Sequence, residues 1–193
     1  MLALLGLVPA TAVAVPALQF ASTRLGARRV RPASGFHHDY FPNVALRTHE
    51  GERVRLYRDM LADKTVLLSF CRAGDADVGD LATRNLVRLQ RLLGDRCGRD
   101  VFMVSLTLAP EADTPERLRR YRDLYEVGPG WTFLTGRPRD LELCRVRFGF
   151  GERGPGHIIL LGNEPHERWL ASHALANPDR LLDQLNRVAG LQA

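Results

Sequence analysis

Lysine is nearly missing from this chain: Lys64 stands alone among 27 basic residues, so positive charge is carried almost wholly by arginine. Cysteine is scarce as well, with Cys71, Cys97 and Cys144 lying 26 and 47 residues apart, and no CxxC or CxxxC pair occurs. Thiol chemistry that needs an attacking and a resolving sulfur therefore has no sequence-local pair to use, and an odd count leaves one thiol unpaired. There is no GxGxxG, GxSxG, HExxH or P-loop pattern, which removes the usual signatures of dinucleotide, hydrolase, zincin and nucleotide sites. Residues 1–21 hold no charge, and no acid precedes Phe36.

The absence of early acids explains the basic balance. Four of the 27 basic residues, Arg24, Arg28, Arg29 and Arg31, precede Phe36, which leaves 23 basic against 22 acidic residues in the rest. A polyanion-binding domain needs a concentrated basic face, and a domain so nearly balanced is not expected to take nucleic acid. At 193 residues the chain has room for one well-packed domain.

What is present falls into three parts. Residues 1–21, rich in Leu, Ala and Val and broken by Pro9 and Pro16, read as a signal peptide or a membrane anchor, with Ala12-Val13-Ala14 offering a small-x-small cleavage site. Residues 22–39 read as a tether, rich in Arg, Gly, Pro and Ser. A domain over 40–193 follows, outside the cytoplasm, periplasmic or held at the membrane.

Within the domain, short apolar runs alternate with helical patterns. Thr65 to Phe70 and Val101 to Leu108 predict buried strands, and Trp131 to Leu134, His157 to Leu161 and Glu167 to Leu170 predict further ones, with Arg53 to Leu56 as an edge. Leu81, Leu86, Leu89, Leu92 and Leu93 recur at helical spacing up to Gly94. Asp113 or Thr114 caps a second helix, with Pro115 at its first position and Leu118, Tyr121 and Leu124-Tyr125 on one face; Leu141 to Phe148 makes a third. Asn177-Pro178 opens a fourth that closes at Gly190, with Leu181, Leu182, Leu185 and Val188 inward. Such alternation implies an α/β layer structure.

Several blocks then look familiar: Phe41-Pro42-Asn43-Val44, Thr48-His49-Glu50-Gly51, Asn85 to Gln90, Leu92 to Arg96, Asp113-Thr114-Pro115-Glu116, Gly128-Pro129-Gly130-Trp131 and Gly162-Asn163-Glu164-Pro165. Together, over about residues 41–189, they resemble the Sco/SenC family. The resemblance implies a thioredoxin-like fold, a central mixed sheet flanked by helices. It also implies a copper chaperone or thiol reductant that serves cytochrome oxidase, using a Cys-x-x-x-Cys loop after the first core strand and a distant His. Two thiolates and an imidazole suit copper, because soft sulfur holds Cu(I) and the imidazole accommodates Cu(II).

This chain departs from that pattern at each position. Counting back from Thr83 and Asn85, the two cysteine positions hold Asp75 and Gly79, and the proline that usually follows is Asp80. The distal His position holds Pro155, with His157 two residues later, and the family's Asp near the end of the second strand is Ala109. The expectation is a binding module and not an enzyme: an assembly or accessory factor for a copper-containing respiratory oxidase that has lost the thiolate copper site, with an oxidase subunit or assembly factor as partner. The alternative is a copper carrier or thiol-disulfide oxidoreductase using a rearranged site of Cys71 and His157, with Asp75 as a further metal ligand.

Each candidate has a plainer reading. Cys71 is a thiol beside the loop or a small buried hydrophobe. Asp75, Asp77 and Asp80 hold a hard cation with His157 assisting, or form a solvated loop in which Asp77 or Asp80 caps the next helix. His37-His38-Asp39 captures Cu(II) or Zn(II), or is a solvated linker. Cys97 and Cys144 read as core or incidental.

Overall fold

The computed structural model describes residues 28–29, 40–74, 78–149 and 157–190. The predicted leader of residues 1–21 lies outside them. Near-continuous apolar runs in the central strands, buried on both faces, build an eight-stranded mixed sheet among the described residues, in the order β1-β8-β7-β4-β5-β6-β2-β3. Its strands are β1 Arg28–Arg29, β2 Ala45–Thr48, β3 Arg53–Arg55, β4 Thr65–Cys71, β5 Val101–Thr107, β6 Trp131–Gly136, β7 Ile158–Asn163 and β8 Arg168–His173. The central trio β4, β5 and β6 is parallel, and β7, β8 and β2 run antiparallel to their neighbours.

Among the described residues four α-helices connect them: α1 Val78–Leu93, α2 Pro115–Leu124, α3 Pro138–Arg147 and α4 Pro178–Ala189. Alternate residues of one strand feed two cores. Leu67 points into a cluster with Leu86, Leu89, Leu118 and Leu185, from α1, α2 and α4. Its neighbours Val66 and Leu68 join Leu56, Leu61, Leu141 and Cys144, from α3 and a π-helical segment over Leu56–Leu61. The result is a helix-sheet-helix sandwich, in which each buried Leu contributes about 2 kcal/mol through removal from water.

Helix ends follow the expected chemistry closely. The Asn177 side chain accepts from the backbone N–H groups of Asp179 and Arg180, and Gly190 closes α4 in the left-handed region. Thr114, not Asp113, caps α2, accepting from the Arg117 N–H at 3.3 Å. α1 begins at Val78, three residues earlier than the leucine spacing predicts, because a first turn donates no intrahelical hydrogen bonds and tolerates Gly79 there. α3 begins at Pro138 instead of Leu141, proline being well placed in a first turn.

Some faces differ from expectation. Leu81, Leu92 and Leu124 are exposed, since α1 and α2 each turn one stripe to the sheet and these three lie off it. β2 had no clear strand pattern; its pairing with both β3 and β6 makes it one. Arg28 and Arg29, inside the predicted tether, pair with β8 at the far edge of the sheet.

Candidate functional site

The carboxyl ends of β4, β5, β6 and β8 converge at one end of the sheet, where ligands of open α/β sheets bind. β4 ends there on Cys71, in register with Thr107 of β5, and the Cys71 carbonyl accepts from the Leu108 N–H at 2.8 Å. Just beyond, Gly74 turns the chain at φ +93°, a conformation that favours glycine. A Cβ at Gly74 would lie 2.7 Å from the Arg117 Nη2, the movable end of a long side chain, so the positive φ and not the close approach is what favours glycine there.

What holds this end together is a carboxylate. Asp113 is fully buried, and its Oδ2 accepts from the Ala73 N–H at 3.1 Å and from the Thr107 hydroxyl at 2.5 Å. Its Oδ1 faces the Arg117 Nε at 3.5 Å, and Arg117 also donates to the Ala73 carbonyl at 2.8 Å. The clasp joins the loop after β4, the end of β5 and the first turn of α2. Sequence reasoning left the cap between Asp113 and Thr114; with Thr114 in that role, the preceding acid is free for burial, and no sequence pattern signals the clasp.

Cys71 is buried, and its thiol is pushed well above the ordinary cysteine range, first by burial and then by the negative Asp113. A protonated thiol is a poor nucleophile and a poor metal ligand. Cys97 and Cys144 are buried elsewhere, burial raising the Cys97 thiol and carrying that of Cys144 up to about 12, and all three thiols are free.

His157 precedes β7 with φ +58°, half-buried, its ring 5.7 Å from that of His173. Burial and then His173 lower its pKa, so it is neutral near pH 7. β4 and β7 pair as far as Leu68 opposite Leu160; that register, if continued, would put Cys71 opposite His157. The predicted strand beginning at His157 begins instead at Ile158, because His157 takes the left-handed turn.

Asp75, Asp77, Pro155, His37, His38 and Asp39 lie outside the described residues. Gly79 and Asp80 sit in the first turn of α1, so Asp80 is a helical residue and not the cap ahead of the helix. Ala109 stands in the turn that leads to the clasp, its carbonyl accepting from the Asp113 N–H at 2.8 Å. Among the described residues no three of His, Cys, Asp or Glu gather as metal ligands. A donor set of one protonated thiol and one imidazole does not fit Cu(I), which calls for paired soft sulfur.

The fold is shared with solved structures. A SCO1/SenC family lipoprotein from Bacillus anthracis superposes with a TM-score of 0.64 at 19% identity, covering 77% of this chain and 94% of that one. BsSco, described as a member of the Sco family of cytochrome c oxidase assembly proteins, matches with a TM-score of 0.62 at 20% identity, covering 77% and 92%. Yeast Sco1 with copper bound gives 0.63 at 15% identity, covering 77% and 91%. No curated protein matches the sequence. The SCO1/SenC family model matches residues 36–153, more than half of the chain, and the chain therefore belongs to the SCO1/SenC family.

Proposed function

We propose that this chain is an exported assembly or accessory factor for a copper-containing respiratory oxidase, a binding module that keeps the family fold and has given up the thiolate copper site. The observation that carries this reading is the state of Cys71. It is a buried, protonated thiol beside the Asp113 carboxylate, while Asp75 and Gly79 occupy the positions where the family resemblance calls for cysteines. An aspartate cannot form a disulfide and a glycine has no donor, so neither a copper thiolate pair nor a dithiol can assemble in that loop. BsSco, with the same fold, is described as one of a family of oxidase assembly proteins, which supports an oxidase subunit or assembly factor as the partner. Export rests on the uncharged stretch over residues 1–21, and the Bacillus anthracis relative is a lipoprotein.

The register of β4 against β7 favours a second reading, a copper carrier or thiol oxidoreductase that uses Cys71 with His157 at the ends of adjacent strands. A lone thiol could form only a mixed disulfide in that case. Copper titration separates the two. The purified chain, titrated with Cu(I) against a competing chelator, should retain no more metal than a Cys71→Ala/His157→Ala variant. One equivalent held by the native chain and lost in the variant would overturn the first reading and install the second.

A further inference from the structure

A groove of about 850 Å³ runs between the β2–β3 hairpin and the starts of α2 and α3, and five arginines line it: Arg47, Arg53, Arg55, Arg137 and Arg139. One acid, Asp140, faces them, 3.5 Å from Arg139. Arg55 donates to the Asn43 carbonyl at 3.2 Å, while Arg47, Arg53 and Arg137 have no ion-pair or side-chain hydrogen-bond partner among the described residues. All five guanidinium-bearing residues are exposed.

The hairpin makes this cluster costly. Arg47 and Arg53 stand directly opposite each other on antiparallel strands, where like charges are destabilising. α3 adds to the field, because its N-terminal end carries partial positive charge and its cap residue, Arg137, supplies no side-chain acceptor. Pro110 and Arg139 also line a second groove of about 620 Å³ that reaches Arg72, the residue after Cys71, and that holds Glu111 and the ion pair of Arg145 with Glu142 as well. Arginines therefore run from the hairpin to the end of β4 in a domain whose total charge, these arginines included, is nearly neutral.

We infer that this arginine groove is the seat of an acidic, extended segment of a partner protein, which lies along the hairpin and the start of α3 toward Arg72. Three features favour that occupant. Arginine forks pair with carboxylates in two-point contacts, and five of them spread along a groove suit successive acidic side chains more than one compact anion. Between them lie Val44, Ala45 and Pro115, small apolar surface that suits a peptide backbone and its aliphatic side chains. No aromatic residue lines the groove, so the stacking surface that single-stranded nucleic acid uses is missing. The inference gives a chemistry to the partner in the proposed assembly role and rests on that role only for the partner's biological identity, since Cys71 and copper play no part in it.

The test is fluorescence anisotropy with the full chain and a labelled peptide of about a dozen residues, alternating Glu with Ala and Pro, against the same peptide with Gln for Glu. The Glu peptide should bind at least about tenfold more tightly, and a rise from about 0.02 M to about 0.3 M salt should remove the difference. Arg47→Glu/Arg53→Glu/Arg137→Glu should abolish the preference, whereas Arg119→Glu/Arg120→Glu, exposed on α2 outside the groove, should keep it. The triple variant should keep a single cooperative unfolding transition, because all three side chains are exposed; that readout separates lost binding from lost folding. Equal binding of the two peptides, an unchanged preference in the folded triple variant, or tighter binding of a single-stranded oligonucleotide of the same length would each overturn the proposal. None of these outcomes depends on whether the chain retains copper.

Discussion

Asp113 shows how one side chain sets the state of a site. Its buried carboxylate satisfies the Ala73 N–H and the Thr107 hydroxyl, which have no water to turn to, and its charge raises the Cys71 thiol beside it. Removing it leaves those two donors buried and unpaired. Asp113→Ala should therefore destabilise the chain by about 3 kcal/mol in urea unfolding, and Asp113→Asn by less, because the amide oxygen can still accept. Equal stability of the Ala variant and the native chain would mean that the clasp is incidental.

At the scale of elements, the turn between β2 and β3 is pinned to β6 by a histidine used as an acceptor. The His49 Nδ1 accepts from the Phe133 N–H at 3.1 Å, and the Phe133 carbonyl accepts from the His49 N–H at 2.9 Å. Protonation would convert that acceptor into a donor aimed at another donor. Burial, ahead of the opposing pull of Glu50, holds the His49 pKa below its ordinary value of 6.5. The sign follows: the unfolded chain takes up a proton more readily than the folded one, so the stabilisation is fully present above pH 6.5 and declines as pH falls toward the lowered folded value. Urea midpoints of the native chain should fall between about pH 7 and about pH 5 more steeply than those of His49→Gln. His157, also lowered, adds to the native slope in the same direction and is common to both proteins. Identical slopes would show that His49 does not titrate as argued.

For the whole molecule, the proposal that the fold outlasts the copper chemistry can be tested by putting the chemistry back. Gly79 lies in the first turn of α1, where the positive helix end lowers the pKa of a cysteine and favours the thiolate. Asp75→Cys/Gly79→Cys should thus form a disulfide on oxidation and, when reduced, hold Cu(I) against a chelator that strips the native chain. If the double variant does neither, the loop has been placed wrongly and the case for a vacated copper site fails with it.

Local patterns carried the elements. Proline and threonine at the start of α2, asparagine and glycine at the ends of α4, and the apolar runs of β4 and β5 act through neighbours in the chain, so the sequence by itself determined them. It also determined that no cysteine pair exists within one turn of loop, which is a matter of counting. Tertiary structure alone decided the rest. The protonation of Cys71 depends on burial and on Asp113, 42 positions away, and neither is a property of residues adjacent to the thiol. The basic groove was invisible for the same reason. Its arginines, scattered from Arg47 to Arg139, show no run in the sequence, and only the pairing of β2 with β6 brings the hairpin beside the start of α3. Charge counted along the chain averages such a cluster away, whereas charge felt by a partner depends on distance in space.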